Sequence, residues 1–256
     1  MSLLLYFVIF FLGLCFGSFL NVLLFRLGKK EGIMIGRSEC FKCLKQLMWY
    51  DLIPLVSYAI LRGRCRYCRS HISFVYPITE LITALVITIY FGVNGFYLGS
   101  SSIFAIFVLV LMIALAFFDA LYLILPDKIV FILGSGALVY NIFLRRPDLI
   151  NLAISGFIFG SAFAILHIVS RGKWMGFGDV KLAIVIGLIL GYPFGFFAII
   201  FAIWTAAFVG VVMMTLKMAS LKTALPFGSF MAGSTIIFII LKNVIEEKLS
   251  FIISSF

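Results

Sequence analysis

The chain has 256 residues, of which 64% are hydrophobic and 12% are charged. An average soluble domain is about half apolar and about a quarter charged, so this composition excludes an ordinary soluble protein and indicates a polytopic membrane protein. The net charge of +10 could suit nucleic acid, but the basic residues lie in loops beside apolar segments. The positive-inside rule explains that pattern better, and we expect no nucleic-acid partner.

The apolar segments are continuous rather than alternating, which predicts membrane helices instead of a transmembrane β-barrel. We expect an all-α polytopic membrane protein with about eight transmembrane helices and a small cytoplasmic insertion between the first and second helices. The predicted spans cover about residues 3–25, 77–92, 102–118, 128–144, 149–169, 180–192, 196–216 and 224–241. The predicted domains are a first transmembrane helix (1–27), the insertion (28–75) and a transmembrane domain (76–256).

Two residues near the end of the first span, Gly17 and Asn21, admit two interpretations. A glycine in a membrane helix allows a neighbouring helix to approach closely, and an amide can bond across helices. The alternative is contact with a substrate or cofactor. Helix packing is the preferred interpretation, and the alternative stays open.

The insertion is the most basic part of the chain. Residues 26–75 hold ten of the twenty Lys and Arg residues and four of the five Cys. Basic residues concentrate in cytoplasmic loops, so we expect this segment in the cytoplasm and the N-terminus outside.

Two C-x-x-C pairs, Cys40 with Cys43 and Cys65 with Cys68, lie 21 residues apart in the insertion. This spacing is typical of a zinc-ribbon-like site with four thiolate ligands. A disulfide is disfavoured in the reducing cytoplasm, and a redox dithiol remains an alternative. Four thiolates leave no open position for a substrate, so we expect a structural zinc ion. The fifth cysteine, Cys15, is expected to be a small core residue of the first span.

Glu80 is the one acid in the second predicted span and follows Tyr76-Pro77, where Pro77 suits a first helical turn. It is expected either to pair with a basic loop residue or to join the active region.

Two further acids stand at the ends of apolar spans. Asp119 ends the third predicted span, and Asp179 opens the sixth after the turn Gly176-Phe177-Gly178. Alternation of the spans places both acids on the cytoplasmic side. A carboxylate at the edge of a membrane span is costly and usually functional, so we expect a catalytic pair. The alternative is that Asp179 simply caps its helix.

The neighbouring polar residues are expected to have lesser roles. Asp127 is a rival of Asp119 but follows Pro126, where a helix cap is the preferred interpretation. Lys181 is expected to balance charge or to contact lipid headgroups. Asp127 and Lys181 also stay candidates for a substrate or cofactor region. His71 and His167 show no ligand spacing and are expected to be structural.

Two carboxyl groups in one partly desolvated site cannot easily both ionise, so one keeps its proton. The charged member can then activate water, and the neutral member can protonate a carbonyl oxygen or a leaving amine. Asp119 lies near a helix C-terminus and Asp179 near a helix N-terminus. The helix dipoles therefore favour the negative charge on Asp179 and the proton on Asp119.

Several motifs occur together along the chain. They are Gly17-Ser18-Phe19-Leu20-Asn21-Val22, the two C-x-x-C pairs, Trp49-Tyr50-Asp51, Tyr76-Pro77 with Glu80, Asp119 with Leu125-Pro126-Asp127, and Gly176-Phe177-Gly178-Asp179-Val180-Lys181. With these motifs nearly the whole chain resembles the bacterial type IV prepilin peptidases, membrane aspartic proteases with a G-x-G-D motif.

The resemblance implies that residues 76–256 are a peptidase domain with Asp119 and Asp179 as the catalytic pair. It implies cleavage of leader peptides from prepilins or pseudopilins after a Gly, at the cytoplasmic face of the bacterial inner membrane. Many family members also methylate the new N-terminal amine with S-adenosylmethionine. The chain has no glycine-rich loop of the Rossmann type, so a methyl-donor site would be unusual.

Three alternatives compete with the hypothesis of a prepilin peptidase. A non-enzymatic membrane assembly or adaptor protein would use the zinc module to bind a partner and the aspartates as helix caps. A transporter is disfavoured because its acids would lie at mid-depth. Archaeal preflagellin peptidases are disfavoured by the four cysteines.

Overall fold

The structure, a computed structural model, describes residues 3–28, 38–144, 148–218, 220 and 223–254. Part of the predicted insertion, residues 29–37, lies outside the described residues. The chain divides into two compact units, Met1–Gly99 and Ser100–Phe256. In the described residues both units are helical, with two isolated β-bridges in the first.

The first unit holds the insertion between two membrane helices. Its elements are α1 (Leu3–Gly28), a 3₁₀ helix (Trp49–Leu52), α2 (Val56–Ile60) and α3 (Val75–Asn94). The second unit contains α4 (Ser100–Tyr122), α5 (Asp127–Leu144), α6 (Leu149–Val169), α7 (Phe177–Leu190), α8 (Phe194–Thr215) and α9 (Phe227–Ser254).

Seven of the described helices are long and apolar enough to cross a membrane, which makes the chain a multi-pass membrane protein. They are α1, α3, α4, α5, α6, α8 and α9. The sixth predicted span corresponds to α7, which has 14 residues. At 1.5 Å per residue α7 is about 21 Å long, shorter than the roughly 30 Å hydrocarbon core.

Two helices run further than the sequence predicted. The third span was expected to end at 118, but α4 continues to Tyr122, so that Asp119 lies inside its last turn. Neither Gly nor Pro occurs between Asp119 and Leu123, and the helix ends only where Leu123 takes a φ of +54°. The last span was expected to end near 241, but α9 continues to Ser254 through a segment without Gly or Pro.

In the first unit, α1 and α3 approach so closely that their backbones touch. A Cβ added to Gly13 would lie 2.6 Å from the Cα of Ala84, and one added to Gly17 would lie 2.5 Å from the Cα of Glu80. Only glycine fits at such a helix crossing. The packing interpretation of Gly17 agrees with this contact.

In the second unit, α7 is the central helix. Ten of its fourteen residues are buried, and it packs against α5, α6, α8 and α9. A helix with most of its surface buried is expected to be apolar nearly all round, as α7 is from Val180 onward apart from Lys181. Gly187 on α7 lies against the backbone of Gly156 on α6, where neither residue has room for a side chain. This packing fixes where the first turn of α7, and with it Asp179, is held.

Candidate active site and candidate metal centre

Asp119 and Asp179 are both buried in the second unit, with 6% and 8% of their surfaces exposed. Asp119 lies in the last turn of α4, and Asp179 is the third residue of α7. The two carboxyl groups are close enough to interact electrostatically. The expected placement of the two acids, one near a helix C-terminus and one near a helix N-terminus, is confirmed.

Leu125, in the link between α4 and α5, connects the two acidic turns. It is buried, and Cβ atoms added to Gly178 and Gly228 would lie 3.1 Å and 3.0 Å from its side chain. A Cβ on Gly228 would also lie 3.1 Å from the Cγ of Asp119. The glycines beside the two acids therefore allow close packing around a single side chain.

Ser229, at the start of α9, holds the carboxylate of Asp119. Its backbone N–H donates to Oδ2 of Asp119 at 2.7 Å, and its hydroxyl lies 3.1 Å from the same oxygen. Sequence reasoning missed Ser229, which is 110 residues from Asp119. The signal that could have found it is the Gly-Ser pair after Pro226 at the start of the last span, since helix N-termini attract anions.

Asp179 also caps its own helix. Its Oδ2 accepts a hydrogen bond from the backbone N–H of Gly176 at 3.2 Å, which closes the first turn of α7. The capping interpretation and the paired-acid interpretation are therefore compatible, because the second carboxylate oxygen is not used in this bond.

A second set of contacts braces the Gly176-Phe177-Gly178 turn. His167 lies in the last turn of α6, and the Nδ1 of its ring is 2.9 Å from the carbonyl oxygen of Met175. A carbonyl only accepts, so Nδ1 of His167 carries a hydrogen. The same ring packs against Phe177, with 5.6 Å between ring centroids. The structural role expected of His167 is thus tied to the acidic turn.

Lys181 and Asp127 pair with each other rather than with the buried acids. The Nζ of Lys181 lies 2.6 Å from Oδ1 of Asp127, whose side chain is 73% exposed. Asp127 is the first residue of α5. Its exposure favours Asp119 over Asp127 as the functional acid, and Lys181 balances charge as expected.

In the first unit, Glu80 does not form the expected ion pair with a basic residue among the described residues. Its carboxylate instead accepts a hydrogen bond from the backbone N–H of Leu55 at 2.9 Å, and Ser18 and Asn21 lie within hydrogen-bonding reach. Leu55 has a φ of +57°, so the carboxylate ties a sharp turn of the insertion to α3. Within the described residues, the carboxylate is therefore held by a backbone donor of the insertion and not by a cation.

Asn21 is also engaged within the first unit. Its Nδ2 donates to the carbonyl of Tyr76 at 3.0 Å, and its Oδ1 accepts from the hydroxyl of Thr79. The polar groups of Asn21 and Glu80 therefore link α1, α3 and the insertion.

The four cysteines of the insertion converge as predicted. Their Sγ atoms all lie within 4.8 Å of one another, and those of Cys40 and Cys68 are 3.7 Å apart. Four Zn–S bonds of about 2.3 Å in a tetrahedron give sulfur separations of about 3.8 Å. The cluster therefore fits a tetrahedral thiophilic ion.

The two C-x-x-C turns have the same backbone hydrogen bond and the same left-handed residue. The N–H of Cys40 bonds the carbonyl of Lys45 at 3.0 Å, and the N–H of Cys65 bonds that of Ser70 at 2.8 Å. The fourth residue after each first cysteine has a positive φ, +55° at Leu44 and +57° at Arg69. The matched turns present two thiols each to a common centre.

The environment of Cys40 favours a thiolate. Burial acts to raise its pKa, but hydrogen bonds from the backbone N–H groups of Cys43 and Lys42, with smaller effects of Cys65 and Ser70, lower the pKa to about 6. Metal ligands must be deprotonated, and this shift prepares Cys40 alone for that role. At Cys43 a backbone hydrogen bond from Lys45 acts to lower the pKa, but burial and the thiols of Cys40 and Cys68 raise it to about 11.

Contacts around the cysteines hold the insertion together. Arg66, inside the second C-x-x-C pair, donates through Nε to Asp51 at 2.6 Å. The Nζ of Lys45, which follows the first C-x-x-C pair, lies 4.2 Å from the centre of the Tyr67 ring. Cys15, expected in a core, is instead exposed on the surface of α1. It faces away from α3, where the glycines make the contact.

The fold and the site define a multi-pass membrane protein with a buried aspartate pair and a separate four-cysteine module. A family model for the bacterial peptidase A24 N-terminal domain matches residues 11–93, and one for the type IV leader peptidase family matches residues 106–211. The chain belongs to the type IV leader peptidase family.

Proteins named prepilin leader peptidase/N-methyltransferase are similar along most of the chain. That of Aeromonas hydrophila is 29% identical over 254 residues, covering 88% of this chain and 87% of the relative. That of Pseudomonas aeruginosa is 29% identical over 250 residues, covering 86% and 85%. That of Bacillus subtilis is 29% identical over 236 residues, covering 90% and 92%. No solved structure matches the chain at a significant level.

Proposed function

We propose that the protein is a membrane-embedded aspartic endopeptidase that removes leader peptides from type IV prepilins or pseudopilins. The observation that carries the proposal is the pair of buried acids, Asp119 and Asp179, on turns that Leu125 packs together. The family membership and the names of the relatives support the substrate class. The alternative of a non-enzymatic adaptor gains no support from them.

The proposed mechanism needs one ionised and one protonated carboxyl group. The carboxylate takes a proton from water as the water oxygen bonds to the carbonyl carbon of the scissile peptide, and the protonated acid gives its hydrogen to the carbonyl oxygen. Collapse of the tetrahedral adduct breaks the C–N bond, and the amine leaves with a proton returned by the pair. Gly176 is exposed and leaves backbone uncovered where an extended substrate can approach, whereas Gly178 packs against Leu125.

We propose that cleavage follows a Gly and occurs at the cytoplasmic face of the bacterial inner membrane, with the N-terminus outside. The basic insertion supports this orientation through the positive-inside rule. We further propose that the four-cysteine module binds a structural zinc ion, because its sulfur separations fit a tetrahedral site without an open position.

We also propose that the protein methylates the new N-terminus with S-adenosylmethionine, as the names of the relatives suggest. Gly17, Asn21 and Glu80 do not support a methyl-donor site of their own. The space beside Gly17 is occupied by the backbone of α3, and the side chains of Asn21 and Glu80 form hydrogen bonds within the first unit. We therefore leave the methyl donor unassigned to residues.

The test uses purified protein in lipid nanodiscs with a prepilin substrate and mass spectrometry of the products. We expect wild type to release the leader after a Gly, and Asp119→Ala and Asp179→Ala to release none. Asp148→Asn, at an exposed acid before α6, is the matched control and should cleave like wild type. Wild type that does not cleave, or cleavage untouched by both alanine variants, would refute the proposal. Added S-adenosylmethionine should raise the product mass by one methyl group.

A further inference from the structure

Ser229 places two donors on one oxygen of Asp119, its N–H at 2.7 Å and its hydroxyl at 3.1 Å. The N–H also reaches the carbonyl of Pro226 at 3.1 Å, and the hydroxyl reaches that of Ala116 at 2.8 Å, so each hydrogen is shared. Ser229 is the third residue of α9. Oδ2 of Asp119 therefore also faces a helix N-terminus, whose partial positive charge favours an anion.

Asp179 has weaker support for a negative charge. Its carboxylate accepts one hydrogen bond, from the N–H of Gly176 at 3.2 Å, and it stands in the first turn of α7. A carboxylate that accepts more and shorter bonds from N–H and O–H groups is the better place for the charge. The direct hydrogen bonds thus outweigh the position of Asp119 at the end of α4.

The other charged groups on the surrounding helices do not alter this balance. Lys181 on α7 pairs with Asp127 on α5 at 2.6 Å, and His167 on α6 bonds a backbone carbonyl. Lys242 and Glu246, 3.7 Å apart, lie far along α9 from its first turn. Through the described part of the chain, no Lys or Arg forms an ion pair with either aspartate.

We propose that Ser229 is a positioning residue that holds Asp119 as the carboxylate and leaves the shared proton on Asp179. The inference rests on the proposed peptidase function and reverses the assignment that helix ends alone suggest. Oδ2 of Asp119 is tethered, and Oδ1 takes the proton of the attacking water. Asp179 then donates its hydrogen to the carbonyl oxygen of the scissile bond.

The test compares Ser229→Ala, Ser229→Thr and Ser234→Ala by the pH dependence of prepilin cleavage in nanodiscs. Ser234 lies on the same helix and bonds only its own helix at Met231, 2.9 Å away, so Ser234→Ala is the matched control. Ser229→Ala keeps the N–H and loses the shared hydroxyl bond to a charged group. We expect kcat to fall about tenfold with little change in KM, and Ser229→Thr to restore most of it.

The pH profile separates a role in charge placement from a merely structural one. The acid limb reports the group that must be ionised, and the alkaline limb reports the group that must be protonated. Ser229→Ala should move the acid limb toward neutral pH by up to about one pH unit, since a tenfold loss corresponds to that shift. An unmoved acid limb, or a shift confined to the alkaline limb, would overturn the assignment. Wild type without cleavage would instead refute the peptidase function itself.

Discussion

Replacing Gly228 by alanine should disable the site without unfolding the protein. The added Cβ would lie 3.0 Å from both terminal methyl carbons of Leu125 and 3.1 Å from Cγ of Asp119. Ordinary carbon contacts begin at about 3.4 Å, so the carboxyl group must retreat by about 0.3 Å or more. A displacement of about 1 Å in a catalytic group can cost about 100-fold, and about 0.3 Å corresponds to about fourfold on the same free-energy scale, so we expect kcat to fall between about 4-fold and 100-fold.

The matched control is Gly233→Ala on the same helix. A Cβ on Gly233 meets nothing within 4 Å, so this substitution carries no packing cost and gains about 1 kcal/mol of helix propensity. The assay is the initial rate of prepilin cleavage followed by mass spectrometry, with the thermal midpoint of each variant measured in parallel. Cleavage by Gly228→Ala within twofold of Gly233→Ala would refute the close packing around Asp119.

The remaining predictions concern the bracing of the acidic turn, the metal and the helix pair of the first unit. His167→Asn, which can keep a donor to the carbonyl of Met175, should retain most activity, whereas His167→Ala should lose about tenfold in kcat. Equal activity of the two variants would show that the hydrogen bond of His167 to Met175 does not support the acidic turn. Cys65→Ser should lose the bound zinc by elemental analysis while Cys15→Ser keeps it, and lowering the pH should release the metal from wild type as thiolates protonate; metal content unaffected by Cys65→Ser would contradict a four-thiolate site. Gly17→Val should lower the thermal midpoint by several degrees because its side chain has no room beside α3; an unchanged midpoint would contradict the close helix contact.

The cysteine module could be predicted because its signal is local. Two short C-x-x-C turns each bring two thiols together within four residues, and the same turn occurs twice. Cys40 and Cys68 therefore meet as the spacing indicates. The exposure of Cys15 could not be predicted, because apolar membrane spans show no clear alternation between core-facing and lipid-facing residues.

The membrane helices were predictable in approximate place, but their number and ends were not, since eight spans were predicted and seven described helices are long enough to cross a membrane. A run of apolar residues does not distinguish a lipid-exposed span from a mostly buried helix, so the short and central α7 was predicted as an ordinary span. The end of α4 was predicted near residue 118, where the apolar run ends. The structure keeps Asp119 helical and buries it, since α9 supplies its hydrogen-bond donors.

The partners of the buried acids were not predicted, because they lie far from those acids in the sequence. Ser229 meets Asp119 across 110 residues, and Leu55 meets Glu80 across 25. Each is a backbone donor made available by the local geometry of a helix start or a sharp turn, and any residue type with an N–H could supply it. Such contacts follow from tertiary packing, which a single sequence does not encode in a readable spacing.

The central claim is that Asp119 and Asp179 act as one catalytic pair, and a double-mutant comparison tests it most directly. Single-turnover cleavage of a prepilin is measured for Asp119→Asn, Asp179→Asn and the variant that carries both, with Asp148→Asn as the control. Groups that act as a unit are strongly non-additive, so each single change should reduce cleavage as far as the double change does. Substantial cleavage by either single variant, or losses that multiply in the double variant, would show that the two acids act independently.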